Sequence, residues 1–267
     1  MPAMFDAEGV VVHQLEATSR DGTKVPYFLL AAEDTAGGPR PTLLYGYGGF
    51  QISMTPSYNA IVGKAWLERG GVFAVANIRG GGEFGPAWWK AAQLANRQLA
   101  YDDFAAVAED LIARGITEPG KLGIHGGSNG GLLVGVAMTQ RPELFDAVVV
   151  EVPLIDMLRY HKLLAGASWM AEYGDPDTSD WEFVRGFSPY HLFDAARDYP
   201  PVLFTTSTKD DRVHPGHARK MAALMLAAGK DVTYYENIEG GHGGAANNRQ
   251  AAYMSALAYT FLLDELR

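Results

Sequence analysis

The chain has 267 residues, of which 48% are hydrophobic and 20% are charged, with a formal net charge of -9. This composition can bury a full core, and it favours one large α/β domain over residues 1–267 rather than two small ones. Cysteine is absent, which excludes disulfides and thiol catalysis. No basic run carries interleaved aromatic residues, so nucleic acid is not expected as a partner.

The amino-terminal residues have neither the basic region nor the long apolar region of a signal peptide. No apolar stretch in the sequence approaches the roughly 20 residues that are needed to span a bilayer. The sequence therefore predicts a cytoplasmic protein that has no membrane partner.

Apolar patterning predicts a continuous run of strands and helices. Alternation at 10–17 and 24–32 indicates two paired strands, and a polar loop is predicted at 33–40. The other predicted strands are 42–45, 71–78, 121–125, 145–151, 201–207 and 231–238. The predicted helices are 57–69, 86–95, 101–115, 131–138, 214–228 and 246–265. Buried strands that alternate with amphipathic helices imply an α/β fold, a mainly parallel central sheet with helices on both faces. Residues 155–200 are irregular and rich in Trp, Tyr and Asp, and we expect them to line a pocket.

The segment 126–130 (GGSNG) matches G-x-S-x-G and lies between a predicted strand and a predicted helix. This context is typical of a nucleophile elbow, a sharp turn that exposes a serine hydroxyl at the edge of a sheet. Side chains two residues before and after Ser128 would collide in such a turn, which explains the glycines there. The helix that follows directs its amino end at the site, where it stabilises negative charge. A glycine-rich turn that merely contains a serine is the alternative, because the pattern alone is common.

A nucleophile elbow requires an acid and then a histidine later in the chain. Asp210 and Asp211 follow a predicted strand, and spacing does not decide which of them orients the base. His242 lies in a glycine-rich loop before the last predicted helix, which is where this order places the base. His214 and His217 form an H-x-x-H pair, but a metal site there would need further ligands.

Chemistry at a serine hydroxyl also needs donors that face a developing oxyanion. The backbone N–H of Asn129 is available in an elbow, and the loop after an earlier strand supplies a second donor. Here that loop is the glycine-rich segment 46–50, in which Tyr47 could contribute its hydroxyl. A plain glycine-rich turn with a packed tyrosine is the alternative.

A second glycine-rich segment, 80–85 (GGGEFG), matches the dinucleotide-binding pattern G-x-G-x-x-G after a predicted strand. It lies well inside the chain rather than in an opening strand–helix–strand unit, and the pattern is weak alone. We therefore interpret this segment as a structural loop near the site.

Together these segments resemble the catalytic domain of the prolyl oligopeptidase family, serine peptidases that cleave short peptides after proline. The resemblance covers nearly the whole chain and is carried, in order, by 44–50 (LYGYGGF), 74–83 (AVANIRGGGE), 126–131 (GGSNGG), 210–213 (DDRV) and 241–243 (GHG). It implies an α/β-hydrolase fold and implies no metal and no organic cofactor. By the same resemblance Ser128, Asp210 and His242 form the triad, and Tyr47 joins the Asn129 N–H as an oxyanion donor.

The resemblance also assigns a proline pocket. Trp169 corresponds to the indole that stacks on the proline ring, and Arg212 corresponds to the arginine that binds a neighbouring substrate carbonyl. Further pocket positions are matched by Phe50, Tyr173, Val213 and Asn129. A flat aromatic surface suits a rigid, apolar pyrrolidine ring.

Members of the family carry a β-propeller before this domain, whereas few residues here precede the strand predicted at 10–17. Without a propeller the triad would be open to solvent, and the surface where a propeller would dock could favour a homo-oligomer. The sequence therefore leaves three functions open: a proline-specific peptidase for short peptides, a stand-alone carboxylesterase with the same triad, and a non-catalytic binding module.

Overall fold

The computed structural model describes residues 4–33 and 38–267. These residues form an eight-stranded sheet in the order β1-β2-β4-β3-β5-β6-β7-β8. The strands are β1 (Val10–Thr18), β2 (Lys24–Ala32), β3 (Thr42–Gly46), β4 (Val72–Ala76), β5 (Leu122–Gly127), β6 (Ala147–Glu151), β7 (Val202–Ser207) and β8 (Val232–Asn237). The pairs β1–β2 and β2–β4 are antiparallel, and the pairs from β4 onward are parallel. The middle of the polar loop predicted at 33–40 lies outside the described residues.

The helices lie on both faces of this sheet. They are α1 (Ala60–Ala65), α2 (Pro86–Lys90), α3 (Gln98–Ala113), α4 (Asn129–Gln140), α5 (Met170–Tyr173), α6 (Trp181–Val184), α7 (Pro189–Leu192), α8 (Gly216–Ala227) and α9 (Asn248–Glu265). Phe104, Leu132 and Met221 place α3, α4 and α8 in the larger buried core, whereas Val62 and Leu262 place α1 and α9 in the smaller one. The predicted mainly parallel sheet with two covered faces is confirmed. Among the described residues, no helix combines the length and the apolar character that crossing a membrane requires.

Two predicted helices are shorter than the sequence pattern suggested. The helix predicted at 57–69 ends at Ala65 and continues as a 3₁₀ turn, Leu67–Arg69. Trp66 leaves the helical backbone there and is fully buried, and its Nε1 donates to the carbonyl of Val72 at 2.7 Å. The helix predicted at 86–95 divides in the same way, into α2 and the 3₁₀ turn Leu94–Asn96.

Strand β5 lies between β3 and β6 and delivers the elbow at its carboxyl end. Ser128 has φ 58° and ψ -117°, a left-handed φ that non-glycine residues rarely adopt. A Cβ on Gly126 would lie 2.2 Å from the Gly130 carbonyl oxygen, and one on Gly130 would lie 3.0 Å from that of Gly46. A side chain at position 126 would therefore collide with the backbone, and a side chain at position 130 would be in very tight contact with it, so both positions favour glycine.

Candidate active site

Ser128, His242 and Asp210 form one chain of hydrogen bonds. Ser128 Oγ lies 3.1 Å from His242 Nε2, and His242 Nδ1 lies 2.9 Å from Asp210 Oδ2 and 3.1 Å from Oδ1. The Asp210 side chain is fully buried. An ionised carboxylate can only accept hydrogen bonds. The neighbours therefore favour the tautomer in which Nδ1–H donates to Asp210 and Nε2 accepts from the serine hydroxyl.

The structure separates the two aspartates that spacing left open. Asp210 follows β7, and its Oδ1 also accepts the backbone N–H groups of Arg212 and Val213, each at 2.9 Å. Asp211 is exposed. The carboxylate that faces His242 is therefore that of Asp210, and the turn that follows holds it in place.

His242 lies in the loop between β8 and α9, which we call the base loop and define as residues 239–247. Two residues beyond His242, the Gly244 carbonyl accepts Ser207 Oγ and Asn237 Nδ2, both at 2.9 Å. The His242 side chain is 16% exposed. The base loop is thus anchored to the ends of β7 and β8, and its histidine remains in contact with solvent.

The two predicted oxyanion donors belong to two segments, one that begins directly after Ser128 and one that lines the same cavity as Ser128. Asn129 is the first residue of α4, where a backbone N–H has no acceptor within the helix. Tyr47 lies in the loop after β3, which we call the oxyanion loop and define as residues 46–50. Burial raises the pKa of the Tyr47 phenol, so its hydroxyl stays protonated at neutral pH and remains able to donate a hydrogen bond.

A cavity of about 120 Å³ opens beside Ser128. It is lined by Tyr47, Phe50, Ile52, Ser128, Leu154, Trp169 and Arg212. Four of the predicted oxyanion and pocket residues are in this wall, whereas Ile52 and Leu154 were not expected because no motif distinguishes these two apolar residues. Sites for drug-sized ligands occupy roughly 300–1,000 Å³, so this cavity suits a single small ring.

Tyr173 and Val213, also predicted for the pocket, lie behind this wall. Their exposed fractions are 0% and 2%. The Tyr173 ring meets that of Phe50 edge-on at 5.6 Å between centroids, and its hydroxyl donates to Asn129 Oδ1 at 2.6 Å. Tyr173 therefore supports the pocket from within the core.

The loop 80–85 packs against the segment that follows the oxyanion loop. The Gly80 carbonyl accepts Gln51 N–H at 3.2 Å, and the Ile52 carbonyl accepts Gly82 N–H at 3.2 Å. A Cβ on Gly80 would lie 2.3 Å from the carbonyl oxygen of Gly48. These contacts agree with the interpretation of this glycine-rich run as a structural loop near the site.

The H-x-x-H pair makes backbone hydrogen bonds. His217 is 2% exposed, and its Nδ1 accepts the N–H groups of Ile155 at 3.2 Å and Asp156 at 3.0 Å. Burial lowers the pKa of His217 to about 4. His214 Nδ1 accepts the N–H of Gly216 at 2.9 Å. Both histidines thus hold neighbouring backbone in place.

A wider cleft of about 530 Å³ lies on the sheet face that α1 and α9 cover. Its wall includes Tyr45, Phe73, His125 and Tyr259. None of the predicted site residues lines this cleft, so the chemistry suggested by the sequence is concentrated at the smaller cavity.

The parallel sheet, the elbow at the end of its central strand and the order Ser, Asp, His define the α/β-hydrolase class. The sequence model of the prolyl oligopeptidase family matches residues 58–267. The chain belongs to the prolyl oligopeptidase family, a family of serine peptidases.

Three relatives illustrate the match. The chain is 58% identical to an uncharacterized peptidase of Sinorhizobium fredii, over 99% of this chain and 37% of the relative. It is 38% identical to a prolyl endopeptidase of Elizabethkingia miricola, over 98% of this chain and 38% of the relative. Its structure matches that of a post-proline cleaving enzyme from Rickettsia typhi with a TM-score of 0.96 and 46% identity, over 98% of this chain and 38% of that one. The chain therefore spans a little over a third of the length of these relatives.

Proposed function

We propose that this chain is a serine hydrolase that cleaves short peptides on the carboxyl side of proline, through an acyl-enzyme on Ser128. The proposal rests on one observation. Ser128, His242 and Asp210 are connected by hydrogen bonds beside a small cavity with an aromatic wall. Relatives that are named prolyl endopeptidase and post-proline cleaving enzyme support the substrate class.

The geometry supports a two-step acyl transfer. Ser128 Oγ attacks the carbonyl carbon of the substrate proline while His242 Nε2 takes the hydroxyl proton. Asp210 stabilises the imidazolium through the Nδ1–H bond. His242 then gives the proton to the leaving amine as the C–N bond breaks. In the second step a water attacks the acyl-enzyme, and its proton passes through His242 to Ser128 Oγ.

The negative charge on the carbonyl oxygen develops between the two proposed donors. The Asn129 N–H and the Tyr47 hydroxyl serve as a preorganised oxyanion hole, the kind of interaction that usually contributes most to acyl transfer. The raised pKa of Tyr47 supports this role because only the protonated phenol can donate.

The cavity wall supports the preference for proline. Trp169 is half-buried against the core and lines the cavity, so its indole face is available to a pyrrolidine ring. Arg212 is exposed at the rim, and its guanidinium has donors for a substrate carbonyl.

A second candidate function is that of a carboxylesterase. The triad and both proposed donors lie within this chain, whereas the cavity beside Ser128 measures only about 120 Å³. Hydrolysis of an ester needs less protonation of the leaving group than hydrolysis of an amide, so the triad and the donors alone favour it.

The test measures kcat/KM on a blocked Gly-Pro anilide and on a short-chain nitrophenyl ester, with Ser128→Ala beside the wild type. We expect efficient cleavage of the anilide, which Ser128→Ala reduces by several orders of magnitude. Ser179→Ala removes an exposed serine hydroxyl in the segment 155–200 and serves as a matched control with unchanged kinetics.

Each alternative has its own outcome. Turnover of the ester with negligible turnover of the anilide would favour the carboxylesterase. A wild type that does not react with an organophosphonate serine probe would favour a non-catalytic binding module. Full activity in Ser128→Ala would contradict both hydrolase proposals.

A further inference from the structure

A buried ion pair lies directly behind the oxyanion loop. The Arg97 side chain is 1% exposed, the Glu172 side chain is 3% exposed, and Arg97 Nη1 lies 3.2 Å from Glu172 Oε1. Charged groups are rarely buried so completely, because desolvation is costly unless hydrogen bonds compensate. The position of this pair therefore calls for a reason beyond filling the core.

The carboxylate of Glu172 reaches the backbone of the oxyanion loop. Its Oε1 accepts the N–H of Phe50 at 2.9 Å, and its Oε2 accepts Trp89 Nε1 at 2.9 Å and Gln93 Nε2 at 3.0 Å. Phe50 has φ 57°, in the left-handed region that non-glycine residues avoid. Glu172 thus bonds the loop at a non-glycine residue that is held in the left-handed region.

Arg97 reaches the other end of the same loop through one side chain. Its Nη2 donates to Asn129 Oδ1 at 2.8 Å, and Asn129 Nδ2 donates to the Tyr47 carbonyl at 2.6 Å. The Tyr173 hydroxyl donates to the same Asn129 oxygen at 2.6 Å. The two arms of the ion pair therefore hold the loop on both sides of Gly48 and Gly49.

The glycines allow this close approach. A Cβ on Gly49 would lie 2.5 Å from Asn129 Nδ2, and a Cβ on Gly48, which has φ +62°, would lie 2.4 Å from the Ile78 side chain. The backbone of the oxyanion loop is therefore in direct contact with the side-chain amide of Asn129. A shift of Asn129 would be transmitted to Tyr47.

The ion pair of Arg97 and Glu172 is also connected to the wall of the cavity beside Ser128. Glu172 and Tyr173 lie in α5, which begins directly after Trp169. A displacement of α5 would therefore move the Trp169 indole together with the Phe50 backbone.

We infer that Glu172, with Arg97 as its partner, is a positioning residue that fixes the oxyanion loop and the Trp169 wall relative to Ser128. This inference rests on the proposed function, because it assigns the pair to the same reaction. Its effect is expected mainly on kcat, since the loop carries the donor that acts on the oxyanion.

The test compares two double variants that both remove the charges. Arg97→Met with Glu172→Gln keeps a carbonyl oxygen that can accept the Phe50 N–H, whereas Arg97→Met with Glu172→Leu has no acceptor. Replacing both partners avoids the uncompensated charge that a single variant leaves in the core. Kinetics with the anilide and the ester are measured well below the unfolding midpoint of each variant.

We expect the Gln double variant to exceed the Leu double variant in kcat by about ten-fold or more on both substrates, with a smaller difference in KM. Equal kcat values in the two folded proteins would overturn the inference. Glu182→Gln changes an exposed glutamate in the same part of the chain, and we expect wild-type kinetics from it.

A milder variant covers the case in which the Leu double variant does not fold. Tyr173→Phe removes one hydroxyl donor from Asn129 and changes no charge. We expect it to lower kcat several-fold with an unfolding midpoint near that of the wild type, and an unchanged kcat would overturn the inference.

The wild type itself separates this inference from the proposed function. A wild type that hydrolyses only the ester would remove the preference for proline, and the variants would then test the inference on the ester. A wild type that neither turns over substrate nor reacts with a serine probe would overturn both.

Discussion

The oxyanion loop and the base loop meet at Ser128, and the chain holds them by different means. Two buried side chains bond the oxyanion loop directly, those of Asn129 and Glu172, and Arg97 supports it through Asn129. The base loop is held by two donors to the Gly244 carbonyl and by the hydrogen bonds between His242 and Asp210. The Gln250 side chain of α9 also bonds both ends of this loop, at Glu239 and at the Ala246 N–H. One loop is enclosed by the core, and the other is attached to the edge of the sheet.

This difference matches what each loop must do in the proposed reaction. An oxyanion donor works best when it is fixed before charge develops, because no reorganisation is then needed. The imidazole must instead take a proton from Ser128 and give it to the leaving group, so it needs access to both. We therefore expect catalysis to be more sensitive to small changes in the oxyanion loop than to similar changes in the base loop.

Among variants of the two loops, the largest effect is expected from removing the proposed oxyanion donor of Tyr47. Tyr47→Phe keeps the ring and deletes the hydroxyl, and we expect kcat to fall by roughly 10²–10³-fold with little change in KM. Tyr45→Phe is the matched control, because Tyr45 lines the wider cleft away from Ser128. Comparable losses in both variants would show that the effect is not that of an oxyanion donor.

The pH dependence of Tyr47 follows from the direction of its pKa. Burial raises this pKa above its usual value near 10. The phenol therefore stays protonated at every pH up to at least that usual value. We therefore expect no fall in wild-type kcat from Tyr47 ionisation between pH 7 and about 10.

Two glycine substitutions compare the loops directly. In Gly49→Ala the new Cβ would lie 2.5 Å from Asn129 Nδ2, whereas no heavy atom lies within 4 Å of a Cβ built on Gly243. Asn129 is buried and its side chain makes three hydrogen bonds, so it has little freedom to move away. We expect Gly49→Ala to lower kcat by about ten-fold or more and Gly243→Ala to stay near wild type.

The measurement is kcat on the nitrophenyl ester at a temperature where both glycine variants are folded. Gly243 is exposed and directly follows His242. Its substitution therefore tests a position of the base loop that is adjacent in sequence to a triad residue. A larger loss in Gly243→Ala than in Gly49→Ala would reverse the comparison between the loops.

Local pattern was sufficient for the sheet and the elbow. The buried strands of the parallel part of the sheet contain short apolar runs, and Gly126 is required by a contact only four residues along the chain, with the Gly130 carbonyl oxygen. The choice of Asp210 over Asp211 was different, because spacing left both open and only the resemblance separated them. The structure supplies the physical reason, since the turn at Arg212 and Val213 binds Asp210.

The sequence could not predict which residues support the site from behind. Arg97 and Glu172 lie 75 residues apart, and their contact depends on how α5 packs against the segment before α3. The sequence also did not predict that Tyr173 and Val213 are buried. A motif match does not distinguish a residue that lines a pocket from one that is buried behind it. Such features depend on tertiary packing, which periodicity along the chain does not encode.

The smallest effect is expected where the base loop is anchored. Ser207→Ala removes one of the two donors to the Gly244 carbonyl and leaves Asn237 Nδ2 bound to it. Because the carbonyl keeps a partner, we expect a loss of about 1 kcal/mol in the free energy of unfolding, measured by urea denaturation, with kcat near wild type. Tyr173→Phe deletes a single hydroxyl on the oxyanion side and should lower kcat instead. If Ser207→Ala reduced kcat as much as Tyr173→Phe does, the base loop would need the same precise support as the oxyanion loop.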